Sequence, residues 1–449
     1  MRKSAFFRMI VLLGVASSMS FAQTNDEGLA NLQFNFGNPG ARSLAMGGAF
    51  VGMADDATTA LANPAGLVNL IKPEVSVEFS SDSNQNTIPW TSGTQNELSA
   101  GGFEYVFKPE DFPKRTSNLS FLSFVYPMVP HKIVIAGFFD EQTKFEREFA
   151  TQGFQLLKDG ASIGSIFFAT DNTLAMSVRN IGASIGLQPA EKLSVGVTLA
   201  YSRLDIDSLT SRISRATNKV SNQESLVGES GKISMAVGAR VSLSEMTSIG
   251  FVYKRRPKFD VTSGYFALDE LGTLVEFASL PQSFKAPDSF GVGVSLRPTE
   301  SISFNADINR IMYSQLMEGY YNTFWYPGIS NQPPFNTPTY GKTTFEVPDG
   351  TELRMGAEYI VMVGERPLAL RGGFWREPFH SMVRKFDDSA MDESSPDVHA
   401  EPFHSRSFKE DANHVSFGGG IVLDKLAVDA AFDHSKTSDR FVVSAVVYF

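Results

Sequence analysis

Leu193-Ser194-Val195-Gly196-Val197-Thr198-Leu199-Ala200-Tyr201-Ser202 sets a large apolar side chain at almost every second position, with small or hydroxylated residues between them. A period of two sends successive side chains to opposite faces of an extended chain, so this stretch is a strand with one apolar face and one small, polar face. It is longer than the average strand of a soluble sheet and matches a tilted strand crossing a bilayer. The pattern recurs. Ile233, Met235, Val237, Ala239, Val241 and Leu243 alternate with Ser234, Ala236, Gly238, Arg240 and Ser242. Phe290, Val292, Val294 and Leu296 oppose Gly291, Gly293, Ser295 and Arg297, and Ile302, Phe304, Ala306 and Ile308 oppose Ser303, Asn305, Asp307 and Asn309. A soluble sandwich alternates too; segment length separates the two readings.

The joins between such segments give direction. Short ones (126–131, 188–192, 244–246, 297–300, 363–367, 423–425) alternate with long ones (141–173, 205–230, 256–288, 311–350, 376–413), as periplasmic turns alternate with extracellular loops in an outer-membrane barrel. The chain closes on Phe441, Val443, Ala445, Val447 and Phe449, an outward apolar face with a terminal aromatic that suits recognition by the barrel assembly machinery. The expected fold is all-β: a transmembrane antiparallel β-barrel of about 14 strands. An even count allows one of the segments 74–80 and 98–107 to span; 74–80 takes that place and 98–107 goes to the first outer loop.

The N-terminus carries an export signature. Arg2, Lys3 and Arg8 precede the apolar run Met9–Val15, and Ser20-Phe21-Ala22 offers small residues for cleavage, so residues 1–22 read as a signal peptide. Cleavage removes three positive charges from a chain of formal net charge −10. An acidic exported chain is a poor ligand for nucleic acid. With 0 cysteines, disulfides, thiolate metal sites and thiol nucleophiles are excluded.

Residues 23–72 have a different character. Gly40–Leu67 is dense in Gly and Ala and has few large side chains, so it builds no core of its own and is expected inside the barrel, packed close to its wall. Residues 73–449 then form the barrel with long extracellular loops. Within the segment, Asp55 or Asp56 suits the start of a short helix running to Ala62, and Asn63-Pro64 ends it and turns the chain towards the first strand. Arg42, the sole cation of the run, is expected to pair with wall carboxylates, Glu74 and Glu78 being candidates.

The inward faces supply Arg240, Lys254, Arg354 and Arg371 as candidate cations for a carboxylate ligand. Phe145, Phe149, Phe154, Leu156 and Leu157 in a helix-compatible loop, and a second apolar loop stretch containing Phe277, are candidates for an outer apolar groove. Met176 and Val178 share one parity, whereas Ile181, Ala183, Ile185 and Leu187 share the other; the shift reads as a one-residue bulge between Arg179 and Asn180 and as a candidate lateral opening. His380, His399, His404 and His414 are assigned to one acidic loop with Asp387, Asp388, Asp392 and Glu393. Their spacing suits no metal, no nucleophile stands beside a His, and a solvated loop is expected, without catalysis or cofactor.

Gly40-Ala41-Arg42-Ser43-Leu44-Ala45-Met46-Gly47-Gly48-Ala49, followed by Ala54-Asp55-Asp56-Ala57 and Asn63-Pro64-Ala65-Gly66-Leu67, resembles the N-terminal region of the FadL/TodX family, outer-membrane transporters of long-chain fatty acids and aromatic hydrocarbons. Leu280-Pro281 with Pro287-Asp288-Ser289-Phe290-Gly291-Val292-Gly293 is a weaker second likeness. The resemblance implies a hatch plugging the barrel, with Arg42, Gly47, Gly48, Asp55, Asp56, Asn63, Pro64 and Ala65 as hatch or gating residues. It also implies a route from an outer groove to a lumen pocket and out sideways through the wall. The expected function is passive, ligand-gated diffusion of hydrophobic compounds; the alternative is a non-transporting barrel that anchors surface or secretion partners. Expected partners are a hydrophobic small molecule, the outer membrane with its lipopolysaccharide, and the assembly machinery; a monomer is expected.

Overall fold

In the computed structural model, fourteen antiparallel strands close into one ring; the structure describes residues 23–24, 33–97, 103–167, 169–214, 217–269, 271–319, 324–325, 345–384 and 410–449. The expected export segment, residues 1–22, lies outside them. The ring comprises β1 Glu74–Asn84, β2 Lys114–Val129, β3 Ile133–Ala150, β4 Ala169–Ala190, β5 Leu193–Ser214, β6 Lys219–Ser242, β7 Thr247–Arg255, β8 Ser289–Thr299, β9 Ile302–Ile311, β10 Gly350–Val363, β11 Arg366–Glu377, β12 Ala412–Leu423, β13 Leu426–His434 and β14 Ser438–Tyr448. Chain neighbours are ring neighbours, and β1 closes on β14 from Glu74↔Tyr448 to Asn84↔Ser438.

Phe79, Phe124, Ile181, Leu199, Tyr201, Ile233, Phe251, Phe304, Leu370 and Phe417 stand exposed on the outer wall. Water would not tolerate so large a continuous apolar surface; lipid covers it. Among the described residues no helix is long and apolar enough to cross a membrane. On β5 the outward parity passes from Tyr201 to Arg203, Asp205 and Asp207, so the belt ends there while the strands run on. Arg179, which an outward Met176 and Val178 would turn inward, lies on this outward face and pairs with Asp205.

Several expected loops are strands. β1 spans, whereas residues 103–107 fall in a separate four-stranded sheet at the loop end, made of Thr87–Glu97, Phe103–Asp111, Gly153–Lys158 and Ala161–Phe167; residues 98–102 lie outside the described ones. The stretch holding Phe145 and Phe149 continues β3 instead of forming a helix, because residues four apart share a face in a strand as well as in a helix. Residues 258–285 form a hairpin, Lys258–Leu268 with Leu274–Lys285, that pairs onto the upper part of β6.

The expected bulge between Arg179 and Asn180 is absent from β4. Met176, Val178, Asn180 and Ser184 all point inward, and β4 pairs with β5 there without a slip. Met176 and Val178 are apolar because the lumen beside them is apolar. The irregularity sits on the neighbouring strand: Gln142 of β3 is extra, between the pairs Glu141↔Arg179 and Thr143↔Val178.

Residues 33–73 run inside the ring through α1 Ala41–Ala45, α2 Thr59–Ala62 and a 3-10 turn Pro64–Asn69. Two apolar clusters flank the path. Towards the turn end, Ala57, Ala60, Leu67 and Leu70 pack on Phe121, Val125, Val134, Ala136, Phe138 and Ala200. Towards the loop end, Phe34 and Phe36 pack among Phe145, Leu174, Met176, Val178, Leu204, Ile206, Phe259 and Val261.

Candidate functional site

Segment 33–73 is short of internal hydrogen bonds, and wall side chains supply the rest. Asp307 of β9, 2% exposed, accepts the Phe50 and Val51 amide hydrogens on Oδ2 at 2.6 and 2.8 Å. The Gly52 carbonyl accepts from Arg240 Nε at 3.1 Å and Ser248 Oγ at 2.9 Å. The Ala60 carbonyl accepts from Ser184 Oγ at 3.2 Å and Thr198 Oγ1 at 2.6 Å. Gly47 N–H donates to Ser416 Oγ at 2.9 Å, and its carbonyl accepts from Arg354 at 3.1 Å. Losing one such partner strands a buried backbone group, at a cost of about 1–3 kcal/mol.

Asn63 turns the segment. Its Nδ2 donates to Val51 O at 2.9 Å and to Ala239 O on β6 at 3.3 Å, while its Oδ1 accepts Ala65 N–H at 3.3 Å. That bond caps the 3-10 turn, with Pro64 at its first position, where the missing N–H leaves nothing unpaired. Two glycines permit the approach. Gly47 has φ +66°, and a Cβ there would stand 2.8 Å from Met355 O and Phe374 O; on the wall, a Cβ at Gly238 would stand 2.0 Å from Asn63 Oδ1. Gly48 also has positive φ, +71°.

The charged residues form a chain across this surface. Arg42 Nη1 pairs with Asp55 at 2.8 Å and Nη2 with Glu358 of β10 at 2.9 Å; Asp55 also receives Arg297. Arg42 thus reaches a wall carboxylate, but Glu358 takes the place expected of Glu74 or Glu78. Glu358 also pairs with Arg371 at 2.6 Å, and Arg371 with Asp429 at 2.5 Å. Asp56 starts the turn into α2, with Oδ1 accepting Thr58 N–H at 2.9 Å and Thr58 Oγ1 at 2.6 Å. Burial raises the Asp56 pKa above the ordinary aspartate value, and Arg42 and Thr58 offset this only in part. Burial alone would lower the Arg42 pKa; Asp55 and Glu358 more than reverse it.

The four candidate ligand cations are therefore engaged. Arg371 is closed between two carboxylates, Arg354 pairs with Glu352 at 2.9 Å and lies 4.1 Å over the Trp375 ring, Arg240 holds Gly52, and Lys254 donates to Asn38 Oδ1. Of the apolar candidates, Phe145 is in the loop-end cluster, edge-on to Phe34 at 5.7 Å, and Phe34 is likewise edge-on to Phe284 at 5.6 Å. Phe149 lies further along β3 with the Arg147 guanidinium 5.1 Å from its ring. The side chain of Phe277 lies outside the described residues.

Beside this cluster the wall parts. The β2–β3 ladder runs from Val129↔Ile133 to Phe121↔Asp140 and ends there; beyond it β2 stays paired with β1, and β3 with β4. Side chains bridge the opening: Lys144 Nζ donates to Ser117 O at 3.2 Å, and Lys114 pairs with Glu148 at 3.4 Å. Behind it lies a cavity of about 920 Å³, lined among others by Phe34, Asn35, Asn118, Glu141, Gln142 and Phe145.

A buried polar cluster that includes His380 and His414, both expected in a solvated loop, anchors the start of the internal segment. His414, expected in a loop, points inward from β12, stacks on Trp375 at 3.8 Å and contacts Asp433 at 2.6 Å and Glu377 at 3.0 Å through its two ring nitrogens. Two carboxylate partners favour the doubly protonated ring, in which both nitrogens donate. His380 follows β11, with Nε2 3.1 Å from Phe34 O, and Asn35 donates to Glu377 at 3.4 Å. Beyond β11's end, Asp411 accepts Phe379 N–H at 2.8 Å; this bond, with Arg376, holds its carboxyl below the usual aspartate range. His399, His404 and the acidic residues 387–393 lie outside the described residues. Among the described residues no three metal-ligating groups converge.

Residues 22–444 match the family model of outer membrane protein transport proteins (OMPP1/FadL/TodX). Solved structures share the fold. The Pseudomonas putida toluene transporter TodX is 15% identical with a TM-score of 0.57, over 92% of this chain and 99% of that one. The Ralstonia pickettii toluene transporter TbuX is 14% identical with a TM-score of 0.54, over 92% and 99%. A FadL homologue of Pseudomonas aeruginosa is 13% identical with a TM-score of 0.56, over 94% and 99%. No curated protein matches the sequence.

Proposed function

The chain belongs to the OMPP1/FadL/TodX family of outer membrane transport proteins, and from that premise we propose that it passes small hydrophobic compounds into the membrane by passive diffusion gated by its internal segment. The observation that carries this reading is the occupancy of the loop-end compartment. Met176, Val178, Leu204 and Ile206 face inward, where a barrel filled with water would place polar residues, and Phe34 and Phe36 fill the space between them. In this reading the two rings hold the place of a cargo, and the parted β2–β3 wall beside them is the exit. Phe145, at the edge of both, contacts cargo. Solved relatives that are toluene transporters and a monoaromatic hydrocarbon channel support a hydrocarbon as cargo, and the FadL likeness of the internal segment makes a long-chain fatty acid the other candidate.

In the same reading residues 1–22 are removed on export, 23–72 are the hatch and 73–449 the barrel, working as a monomer that meets lipopolysaccharide at its loop end. Arg42, Gly47, Gly48, Asp55, Asp56, Asn63, Pro64 and Ala65 are the hinge and latch of the hatch. The test is uptake of labelled toluene and labelled oleate by cells carrying the protein or an empty vector. Accumulation of either above the vector control supports transport; no difference for both overturns it. The separate four-stranded outer sheet supports a second reading, a barrel that presents a docking surface to other proteins. Stable co-purifying proteins together with absent uptake would favour it.

A further inference from the structure

A second cavity, of about 380 Å³, lies at the turn end between the internal segment and the wall. Glu74 and Glu78 line it from buried inward positions of β1 on either side of Ser76, 4% and 1% exposed, and Asp56 lines it from the internal segment. Glu74 has neither a hydrogen-bond nor an ion-pair partner among the described residues. Glu78 Oε1 accepts from Ser120 Oγ at 2.9 Å; its buried Oε2 has no hydrogen bond of good geometry, with the Gly40 and Ala41 amides nearby. Asp56 accepts only from Thr58 among the described residues. The nearby cations have other carboxylate partners: Arg42 lies between Asp55 and Glu358, Arg371 between Glu358 and Asp429, and Arg440, which also faces Glu78, pairs with Asp82 at 3.3 Å. Lys72 stands exposed at the rim.

Six carboxylates (Asp55, Asp56, Glu74, Glu78, Glu358 and Asp429) thus face three cations (Arg42, Lys72 and Arg371) around one space, an excess that protonation or a positively charged occupant relieves. Their spacing selects its shape. Glu74 and Glu78 lie four residues apart on one strand face, about 13 Å between Cα atoms at roughly 3.3 Å per residue. One ion does not reach both, and no metal-ligating trio converges here among the described residues. Ala369, Ala427 and Val446 supply apolar lining. We propose that this chamber binds a linear aliphatic polyamine, its ammonium groups on Glu74, Glu78 and Asp56 and its methylene links against the apolar lining. Because Asp56 belongs to the internal segment and the two glutamates to β1, the occupant ties that segment to the wall. The site is separate from the loop-end compartment, and its binding is measurable whether or not the barrel transports.

The test is titration calorimetry of the purified full-length barrel in a neutral detergent with spermidine, n-butylamine or magnesium chloride. Spermidine is expected to bind one per barrel, and Glu74→Gln and Glu78→Gln are each expected to weaken it at least about tenfold, as loss of a desolvated charge partner does. Butylamine and magnesium are expected to bind at least about tenfold more weakly than spermidine. Ser76→Phe fills the chamber from the same strand face and leaves every carboxylate in place; it is expected to abolish binding, and it serves where a glutamate variant fails to assemble. Spermidine binding unchanged by these substitutions overturns the proposal. So does magnesium binding of equal strength with the same losses, which would make the chamber a metal site.

Discussion

Asp307 Oδ2 accepts the Val51 amide hydrogen at 2.8 Å, and the same oxygen takes the Phe50 amide at 2.6 Å. One wall carboxylate therefore fixes two successive peptides of the internal segment, in a place water does not reach. Bonds to a charged acceptor contribute about 1.5–3 kcal/mol each. Asp307→Ala is expected to speed amide exchange at residues 50 and 51 by at least about tenfold, each 1.4 kcal/mol being a factor of ten. The ring keeps its ladders, so the variant should still migrate as a folded barrel on an unheated gel. Hydrogen–deuterium exchange read by mass spectrometry checks both; unchanged exchange at 50–51 refutes the latch.

Gly238 gives the complementary case from the wall. A side chain there meets Asn63 Oδ1 first and the Pro64 ring next, with contacts of 2.0 and 3.0 Å. Gly238→Val is expected to displace the Asn63 turn and break its bonds to Val51 and Ala239, while β-branching suits the strand itself. Protease nicking between residues 52 and 66 should rise with the barrel intact. A variant as resistant as the parent would show that the turn has room to move.

The ring was legible because lipid imposes one rule on every strand: large apolar residues outward, at a period of two. That rule placed β5, β6, β8 and β9 correctly. It misled at Met176 and Val178, where the same residue type faces an apolar lumen and parity alone does not say which side is oily. Of the latch, only a wall carboxylate for Arg42 was legible, not which one. Asp307 and Val51 are separated by 256 positions, and Arg42 and Glu358 by 316, and their meeting depends on depth in the barrel, which alternation does not encode. The parted β2–β3 wall is likewise a relation between two strands; each alone looks like an ordinary barrel strand. What was readable of the internal segment was its small side chains, and Gly47 and Gly238 show why they are needed.

Phe34 and Phe36 provide a test of cargo mimicry. Removing a buried phenylalanine costs about 3–5 kcal/mol when nothing refills the space. Here the vacated volume lies in a compartment open to hydrophobic ligand, so Phe34→Ala with Phe36→Ala is expected to raise affinity for a solvatochromic hydrophobic dye about tenfold or more. Dye fluorescence titration of the purified barrel reads this. Equal affinity in parent and variant would mean that the two rings are packing only.

Asp56 predicts a pH dependence for the internal segment. Its folded pKa is raised by burial, so the stability it contributes is fully present below the ordinary aspartate value and is lost as pH rises through the higher folded value. Asp56→Asn keeps an acceptor for Thr58 N–H and Oγ1 without the charge. Nicking of residues 54–62 should therefore be faster at about pH 8 than at about pH 4 in the parent, with the difference reduced in the variant. An unreduced difference would assign the pH effect to other groups.

The parted wall carries the last prediction. Above Phe121↔Asp140 no ladder bond joins β2 to β3, and Lys144 reaches across to Ser117 O at 3.2 Å. If hydrophobic cargo leaves through this opening, bridging it should stop uptake without touching the compartment that binds cargo. The chain has 0 cysteines, so Ser117→Cys with Lys144→Cys introduces the only two thiols, and a short bismaleimide joins them without demanding disulfide geometry. The cross-linked barrel is expected to bind the hydrophobic dye like the parent and to lose most labelled-hydrocarbon uptake. The same double variant without cross-linker should retain it, which separates closure of the gap from loss of the Lys144 bond. Uptake that survives complete cross-linking would send the exit elsewhere, and the route through the turn end, past Asn63 and Asp56, would be the one left to test.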